Sequence, residues 1–199
     1  MRALAPYLLL TLAITAGFAW TSQRAGLSSA DASPAEGAKA TEEAGDDTIN
    51  VGDIPAITGI KGWLNTPEGE PLTAADLEGK VVLVHFWTRG CYNCVNTIPY
   101  VNKWYGRFKD DPFVLIGVHT PEFAAEKDRA ALEQFLEKHG IAYPVAMDND
   151  MATWDSFRNR YWPADYLFDA RGRLVYAHIG EGQYGTMERK IADTLAKPN

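Results

Sequence analysis

Cysteine is scarce in this chain: of its 199 residues, only Cys91 and Cys94 are cysteine. Two cysteines form at most one bridge, so the chain is not a small scaffold held together by several disulfides. The same count excludes a zinc site with four cysteine ligands. The two residues lie three positions apart, and this spacing is what a functional interpretation has to explain.

An excess of positive charge is also absent. The formal net charge is −7 and the isoelectric point is about 5.1. Such a chain is a poor electrostatic partner for nucleic acids and anionic lipid surfaces, so we expect no nucleic-acid partner. Hydrophobic residues make up 46% of the chain and charged residues 23%, which is typical of a globular protein with a buried core.

Charged side chains are missing from one N-terminal stretch. Residues 3–23 contain none and are rich in leucine, after a positive start at Arg2. A cleaved secretory signal has this pattern, with the small residues Gly17 and Ala19 at the cleavage site. An uncleaved signal anchor also fits, since about 20 apolar residues span a bilayer. Both interpretations of residues 1–23 export the rest of the chain, and membrane contact is expected only through this segment if it stays uncleaved.

Aromatic residues are absent from residues 21–50, which consist mainly of Ala, Ser, Gly, Asp and Glu. Such a segment cannot bury enough apolar surface to offset the entropy lost on ordering. Residues 24–50 therefore predict a flexible acidic linker. The folded domain is expected to occupy residues 51–199.

From residue 51 onwards, the hydrophobic pattern alternates between strands and helices. Strands are predicted at residues 81–87, 113–118, 143–147, 164–168 and 173–179, and helices after the cysteines and at residues 124–139, 152–158 and 184–195. Residues 62–72 contain a Pro-Glu-Gly turn and predict a small N-terminal hairpin. This order predicts an α/β fold, in which a mixed central sheet carries helices on both faces.

Cys91 and Cys94 lie between a predicted strand and a predicted helix. The thiolate is the form of cysteine that attacks disulfides, and a helix N-terminus favours negative charge. The spacing of Cys-Tyr-Asn-Cys lets the second sulfur reach the first and release a mixed disulfide by intramolecular attack. Cys91 is therefore expected to be the nucleophile of a redox-active disulfide pair, and Cys94 its resolving thiol.

A structural disulfide and a metal site are the alternatives for this pair. A bridge that closes about four residues contributes only about 2 kcal/mol, against about 4.7 kcal/mol for a loop of 100 residues. Stability is thus a poor reason for this spacing. Two cysteines are half of a zinc site, and the four histidines are scattered without ligand spacing. We therefore expect neither a metal nor another cofactor.

The sequence around the cysteines resembles the active site of the thioredoxin superfamily. Residues 86–94 read Phe-Trp-Thr-Arg-Gly-Cys-Tyr-Asn-Cys, Pro99 matches the helix-kinking proline of that family, and residues 162–169 resemble the segment with its cis-proline, here Pro163. More narrowly, the exported TlpA/DipZ-like thioredoxins are similar at residues 62–65, 76–84, 117–122, 158–163 and 180–182. The resemblance implies a thioredoxin-like fold over residues 51–196, with an inserted helix at residues 124–139.

This resemblance also implies an activity, a compartment and partners. It implies a thiol–disulfide oxidoreductase outside the cytoplasm, in the bacterial periplasm, whose substrates are protein thiols and disulfides. It further implies reduction, with electrons from a membrane thiol transporter and with apocytochromes c, other exported proteins or peroxidases as targets. Pro163 would face the cysteines, where the main chain of Trp162 pairs with an extended substrate.

The proton acceptor for Cys94 is a point at which the sequence departs from the family. Many thioredoxins carry a buried acid six residues before the nucleophile, and this chain has His85 there. Some TlpA-like reductases carry an acid three residues after the second cysteine, where this chain has Thr97. The candidates for proton transfer are His85 and, if their loops fold near the cysteines, Glu181 and Glu122.

Two other functions stay open. Thr88-Arg-Gly-Cys91 matches part of the peroxiredoxin pattern and predicts a thiol peroxidase, although Val84 stands where that pattern has proline. A non-enzymatic metallochaperone is the other alternative. Copper-delivery relatives of the thioredoxin fold usually space their cysteines one residue wider and add a histidine ligand, which this chain does not match.

Overall fold

The computed structural model describes residues 52–197. The predicted signal or anchor at residues 1–23 and the predicted linker at residues 24–50 lie outside the described residues. Within residues 52–197, no helix combines the length and the apolar character that crossing a membrane requires.

The described residues form six strands and five α-helices. The strands are β1 (Trp63–Leu64), β2 (Val81–Trp87), β3 (Phe113–His119), β4 (Val145–Met147), β5 (Ala164–Phe168) and β6 (Leu174–Ile179). The helices are α1 (Ala74–Leu77), α2 (Tyr92–Phe108), α3 (Arg129–His139), α4 (Ala152–Ser156) and α5 (Tyr184–Leu195). Short 3₁₀ turns cover Pro67–Gly69 and Ala124–Lys127.

All six strands form one sheet in the order β1-β4-β3-β2-β5-β6. The sheet is mixed, as predicted, because β2 pairs in parallel with β3 and antiparallel with β5. Every residue of β2 is buried, which explains its unbroken run of β-branched and aromatic residues.

Successive residues of a strand point to opposite faces of the sheet, so β2 contributes to two hydrophobic cores. Leu83 and Trp87 pack with buried residues of α2, α3 and α5, whereas Val84 and Phe86 pack with buried residues of α1 and α4. Helices therefore cover both faces, and the predicted α/β class is confirmed. The carboxyl end of β2 leads directly into the loop that carries Cys91.

Several predicted elements agree closely with the structure. Strands β2 and β5 and helix α5 have the predicted bounds. Helix α3 ends at Gly140, whose φ of 64° lies in the left-handed region that glycine adopts at little cost. Pro99 lies inside α2, where the resemblance placed it.

The predicted N-terminal hairpin at residues 62–72 is wrong. Trp63–Leu64 instead forms the edge strand β1, which pairs with β4 in antiparallel register. The side chain of Asn65 donates hydrogen bonds to the carbonyl oxygens of Ile141 and Tyr143, at 2.9 and 3.0 Å. These contacts tie the segment to the residues before β4, so it does not fold back on itself.

The predicted inserted helix at residues 124–139 is interrupted. Ala124–Lys127 forms a 3₁₀ turn, and α3 begins only after Asp128, whose backbone is extended. The Asp128 carboxylate accepts a hydrogen bond from the backbone N–H of Ala131 at 2.7 Å. Aspartate is a favoured N-cap residue, so a new helix starts here instead of continuing the first turn.

Candidate active site

Cys91 and Cys94 occupy the first turn of α2. Cys91 is the N-cap residue, and its Sγ accepts a hydrogen bond from the backbone N–H of Cys94 at 3.3 Å. The first turn of α2 contains no acidic residue, so the helix N-terminus is free to favour a negative charge on this sulfur. Both thiols are free, Cys91 partly exposed and Cys94 completely buried.

The environment of Cys94 favours its protonated form. Burial is the main cause that raises the pKa of the Cys94 thiol well above its ordinary value. The hydrogen bond to Cys91 and the negative charge of Glu126 act in the same direction. Cys94 therefore has to transfer a proton before its sulfur can attack another sulfur.

The Trp162–Pro163 peptide bond is cis, as the resemblance implied. The Trp162 indole N–H donates to the carbonyl oxygen of Thr120 at 3.0 Å, and its ring packs 4.2 Å from that of Trp154. Trp162 and Cys91 both pack at the margin of the core cluster that contains Cys94. Within residues 52–197 the main chain of Trp162 forms no hydrogen bond.

The two positions where related families carry an acid hold His85 and Thr97. His85 lies directly opposite Asp165 in the β2–β5 register, and its Nδ1 is 2.7 Å from an Asp165 carboxylate oxygen. Both side chains are buried, and the His85 Nε2 has no hydrogen-bond partner among the described residues. The Thr97 hydroxyl donates to the carbonyl oxygen of Cys94 at 2.7 Å.

The structure brings only one of the two predicted glutamates to α2. The exposed Glu181 accepts hydrogen bonds from the side chain of Asn96 on both carboxylate oxygens, each at 3.3 Å. Glu122 is also exposed, and it contributes its backbone N–H, not its carboxylate, to a contact with Glu126.

Glu126 is the acidic residue of this region that sequence reasoning missed. It is only 5% exposed, and one carboxylate oxygen, Oε2, accepts the backbone N–H groups of Glu122 and Phe123 at 2.7 and 3.0 Å. The other oxygen, Oε1, lies where a side chain on Gly90 would be, 2.0 Å from the position of a Cβ. Because Gly90 has no side chain, the Glu126 carboxylate can occupy this space immediately before Cys91 in the chain.

The charge states of Glu126 and His119 differ. Burial alone raises the pKa of the Glu126 carboxyl, but hydrogen bonds from the backbones of Phe123, Glu122 and Gly90 and from the Thr88 side chain together outweigh it and hold that pKa below its usual value. Burial lowers the pKa of His119 to about 4, with a smaller opposing effect of the Glu126 charge. At neutral pH the site therefore contains an ionised glutamate and a neutral histidine.

The loop before Cys91 is fixed by β3 and by the inserted segment. His119, at the end of β3, accepts the backbone N–H of Arg89 at 3.3 Å and lies 3.4 Å from the Thr88 hydroxyl. The Arg89 guanidinium donates to the carbonyl oxygen of Ala125.

No group of three or more His, Cys, Asp or Glu side chains within residues 52–197 is arranged to hold a metal ion.

The chain is similar in sequence to a known family and to several known proteins. Residues 57–177 match the model of the AhpC/TSA family. The DipZ protein of Mycobacterium tuberculosis is 47% identical over 149 residues, which cover 74% of this chain and 21% of DipZ. The thiol-disulfide oxidoreductase YkuV of Bacillus subtilis is 32% identical over 144 residues, which cover 72% of this chain and 95% of YkuV.

A solved structure shows the same fold. A thioredoxin-like protein, determined in its oxidized form in solution, superimposes with a TM-score of 0.66 at 31% identity, covering 75% of this chain and 98% of that protein. The sheet and helices described above are therefore those of a thioredoxin-like fold. The chain spans about a fifth of the length of the DipZ proteins it matches.

Proposed function

The chain belongs to the AhpC/TSA family, and from this premise we propose that it is an exported thiol–disulfide oxidoreductase with Cys91 and Cys94 as its redox-active pair. The observation that carries the proposal is the pairing of a partly exposed sulfur at a helix N-terminus with a buried thiol three residues later. The names of relatives such as YkuV support the same reaction class.

In the proposed reaction, the Cys91 thiolate attacks one sulfur of a substrate disulfide. A bond forms between Cys91 and that sulfur, and the other substrate sulfur leaves as a thiolate. Cys94 then loses its proton and attacks the Cys91 sulfur, which releases the second substrate thiolate. Two electrons pass to the substrate, and the domain is left with a Cys91–Cys94 disulfide that a dithiol donor must reduce again.

The substrates in this proposal are disulfides of proteins outside the cytoplasm. The free main chain of Trp162, next to Pro163, is suited to pair with an extended substrate segment beside Cys91. We propose the bacterial periplasm as the compartment, a membrane thiol transporter as the donor and apocytochromes c among the targets, as the TlpA/DipZ resemblance implies.

For the proton of Cys94 we propose His85 as the acceptor. The Asp165 carboxylate holds the Nδ1 of His85, which leaves Nε2 as the free acceptor on the face of the sheet that α2 covers. Glu181 is a second acceptor, since its carboxylate reaches α2 at Asn96. The exposed carboxylate of Glu122 is the least suited of the three sequence candidates.

A thiol peroxidase is the second candidate function, favoured by the AhpC/TSA match and by Thr88-Arg-Gly-Cys91. In that reaction the Cys91 thiolate attacks one oxygen of a peroxide, the O–O bond breaks, and the other oxygen leaves as water or an alcohol. Cys91 becomes a sulfenic acid, which condenses with the Cys94 thiol to a disulfide and water.

Parallel assays of insulin reduction by a dithiol and of peroxide consumption test the two functions. The proposal predicts that the full chain accelerates insulin reduction, while the Cys91→Ser variant does not. Rapid consumption of peroxide without insulin reduction would overturn the oxidoreductase assignment and establish the peroxidase.

A further inference from the structure

The segment between β3 and α3 docks on the loop that leads into Cys91. Arg89 of the loop donates its guanidinium to the Ala125 carbonyl, and Glu126 places its Oε1 over Gly90. This docking buries a carboxylate whose position no function described above requires. The Glu126 carboxylate is therefore a buried charge that lies next to the proposed redox pair.

The Glu126 side chain is held firmly. Two backbone N–H groups, of Glu122 and Phe123, bind its Oε2, while its Oε1 has no hydrogen-bond partner of good geometry among the described residues. The carboxylate is therefore fixed in place with one oxygen turned towards the active-site loop. Weaker interactions with the Thr88 side chain and the Gly90 backbone help to keep the carboxylate ionised, so its charge acts on the surrounding groups.

The described groups around Glu126 leave its carboxylate without an ion pair, although the Thr88 side chain and the Gly90 backbone help to stabilise its charge. From the loop, the Arg89 guanidinium binds the carbonyl oxygen of Ala125, so its positive charge lies near Glu126. From β3, His119 is neutral, and on its own turn Lys127 is exposed. From α2, the buried Cys94 interacts with the Glu126 charge, and Cys91 directly follows Gly90, which the carboxylate contacts. Glu126 forms no ion pair within residues 52–197. A fixed charge in a poorly solvated site interacts strongly with neighbouring charges.

We propose that Glu126 is a positioning residue that sets the redox poise of the Cys91–Cys94 pair by holding a fixed negative charge beside it, an inference that rests on the function proposed above. A thiolate next to this charge is disfavoured, whereas the disulfide has no charge to be affected. Stabilising the reduced form makes a dithiol couple oxidising. Glu126 acts in the opposite direction and keeps the pair reducing.

The effect of Glu126 has a definite pH dependence. Its charge is present throughout the neutral range, because hydrogen bonding holds the pKa of its carboxyl below the usual value. The charge destabilises the reduced form only when a thiolate has formed. The difference in the redox equilibrium between wild type and a neutral variant should therefore be larger at a pH where a thiolate forms than at a pH where both thiols are protonated.

The Glu126→Gln variant of the full chain tests this inference by equilibration with glutathione redox buffers. Gln removes the charge but keeps an oxygen for the backbone of Glu122 and Phe123. At neutral to alkaline pH we expect the equilibrium to shift about tenfold towards the dithiol, or about 30 mV for a two-electron couple. The shift should be smaller at pH 6, a pattern that a purely structural role would not produce.

Two further variants give the controls. Glu126→Asp keeps the charge and should remain closer to wild type than Glu126→Gln. Glu137→Gln makes the same change at an exposed position of α3 and should leave the equilibrium unchanged.

Three outcomes would overturn the inference. An unchanged equilibrium constant in Glu126→Gln, or an equal shift in Glu122→Gln, would overturn it while the proposed function stands. A wild-type chain whose cysteines form no reversible couple with glutathione would overturn the inference and the proposed function together.

Discussion

The two sides of the first turn of α2 differ in exposure and in charge. On the open side, Tyr92 is 78% exposed, Cys91 is partly exposed and the main chain of Trp162 is unpaired within the described residues. On the closed side, Cys94 and His119 are completely buried. The spacing of the cysteines makes their sulfurs neighbours, but the two sulfurs lie in different environments, one partly exposed and one buried.

The largest expected effect lies on the closed side, at His119. The pKa of His119 is about 4 in the folded protein, against about 6.5 when unfolded, so the unfolded state binds the proton first as the pH falls. Stability is therefore lost between about pH 6.5 and pH 4, by about 3 kcal/mol for this residue. Denaturant unfolding across this range should show a shallower loss for His119→Gln than for wild type.

The test depends on the difference in the pH dependence of unfolding between wild type and His119→Gln, because other groups also bind protons as the pH falls. Burial raises the pKa of Asp148, for example, which has the opposite effect on stability. Equal pH dependence in wild type and His119→Gln would show that His119 is not a buried neutral histidine.

A smaller effect is expected where the loop meets the inserted segment. In Gly90→Ala the new Cβ would lie 2.0 Å from the Glu126 carboxylate, and we expect a loss of about 1–3 kcal/mol in the free energy of unfolding. Gly106→Ala is the matched control, since nothing lies within 4 Å of its Cβ position. In the interior of α2 that change should stabilise the protein by about 0.5–1 kcal/mol.

A double variant that combines Gly90→Ala with Glu126→Ala tests whether the contact between these residues causes the loss. If the clash with Glu126 causes the loss, Gly90→Ala should cost much less in a Glu126→Ala background, as measured in a double-mutant cycle. Equal costs in both backgrounds would place the cause elsewhere in the loop.

The smallest effect is expected on the open side. Tyr92 lies between the cysteines, yet its side chain is largely in solvent. Its replacement by Ala should change the free energy of unfolding by less than about 0.5 kcal/mol, as is usual for surface positions. A much larger loss in thermal or denaturant unfolding would mean that the open side is packed against other parts of the chain.

The sequence was informative where the pattern is local. The hydrophobic run of residues 81–87 predicted the central strand, and the local motifs predicted that the cysteines lie at a helix start and that the bond before Pro163 is cis. Contacts between distant residues could not be predicted in this way: the partner of His85 is Asp165, 80 positions away, and Asn65 binds carbonyl groups more than 70 positions away.

Glu126 shows the same limit in another form. A glutamate near the start of a predicted helix is normally expected to be exposed to solvent. The only local signal at Glu126 is that an acid at the third position of a helical turn can accept the backbone N–H of the residue before the turn, here Phe123. Its burial depends on Gly90, which belongs to a different part of the chain. The available signal was therefore the combination of two features, a glycine immediately before Cys91 and an acidic residue in the inserted segment.

The division of roles between the two sulfurs is tested most directly by trapping mixed disulfides. The full chain with Cys94→Ser, exposed to oxidised exported proteins, should accumulate adducts linked through Cys91 and released by a reductant, because the resolving thiol is missing. The chain with Cys91→Ser should accumulate none, since Cys94 is buried. Adducts on Cys94 in the Cys91→Ser chain, with none in the Cys94→Ser chain, would contradict the assignment.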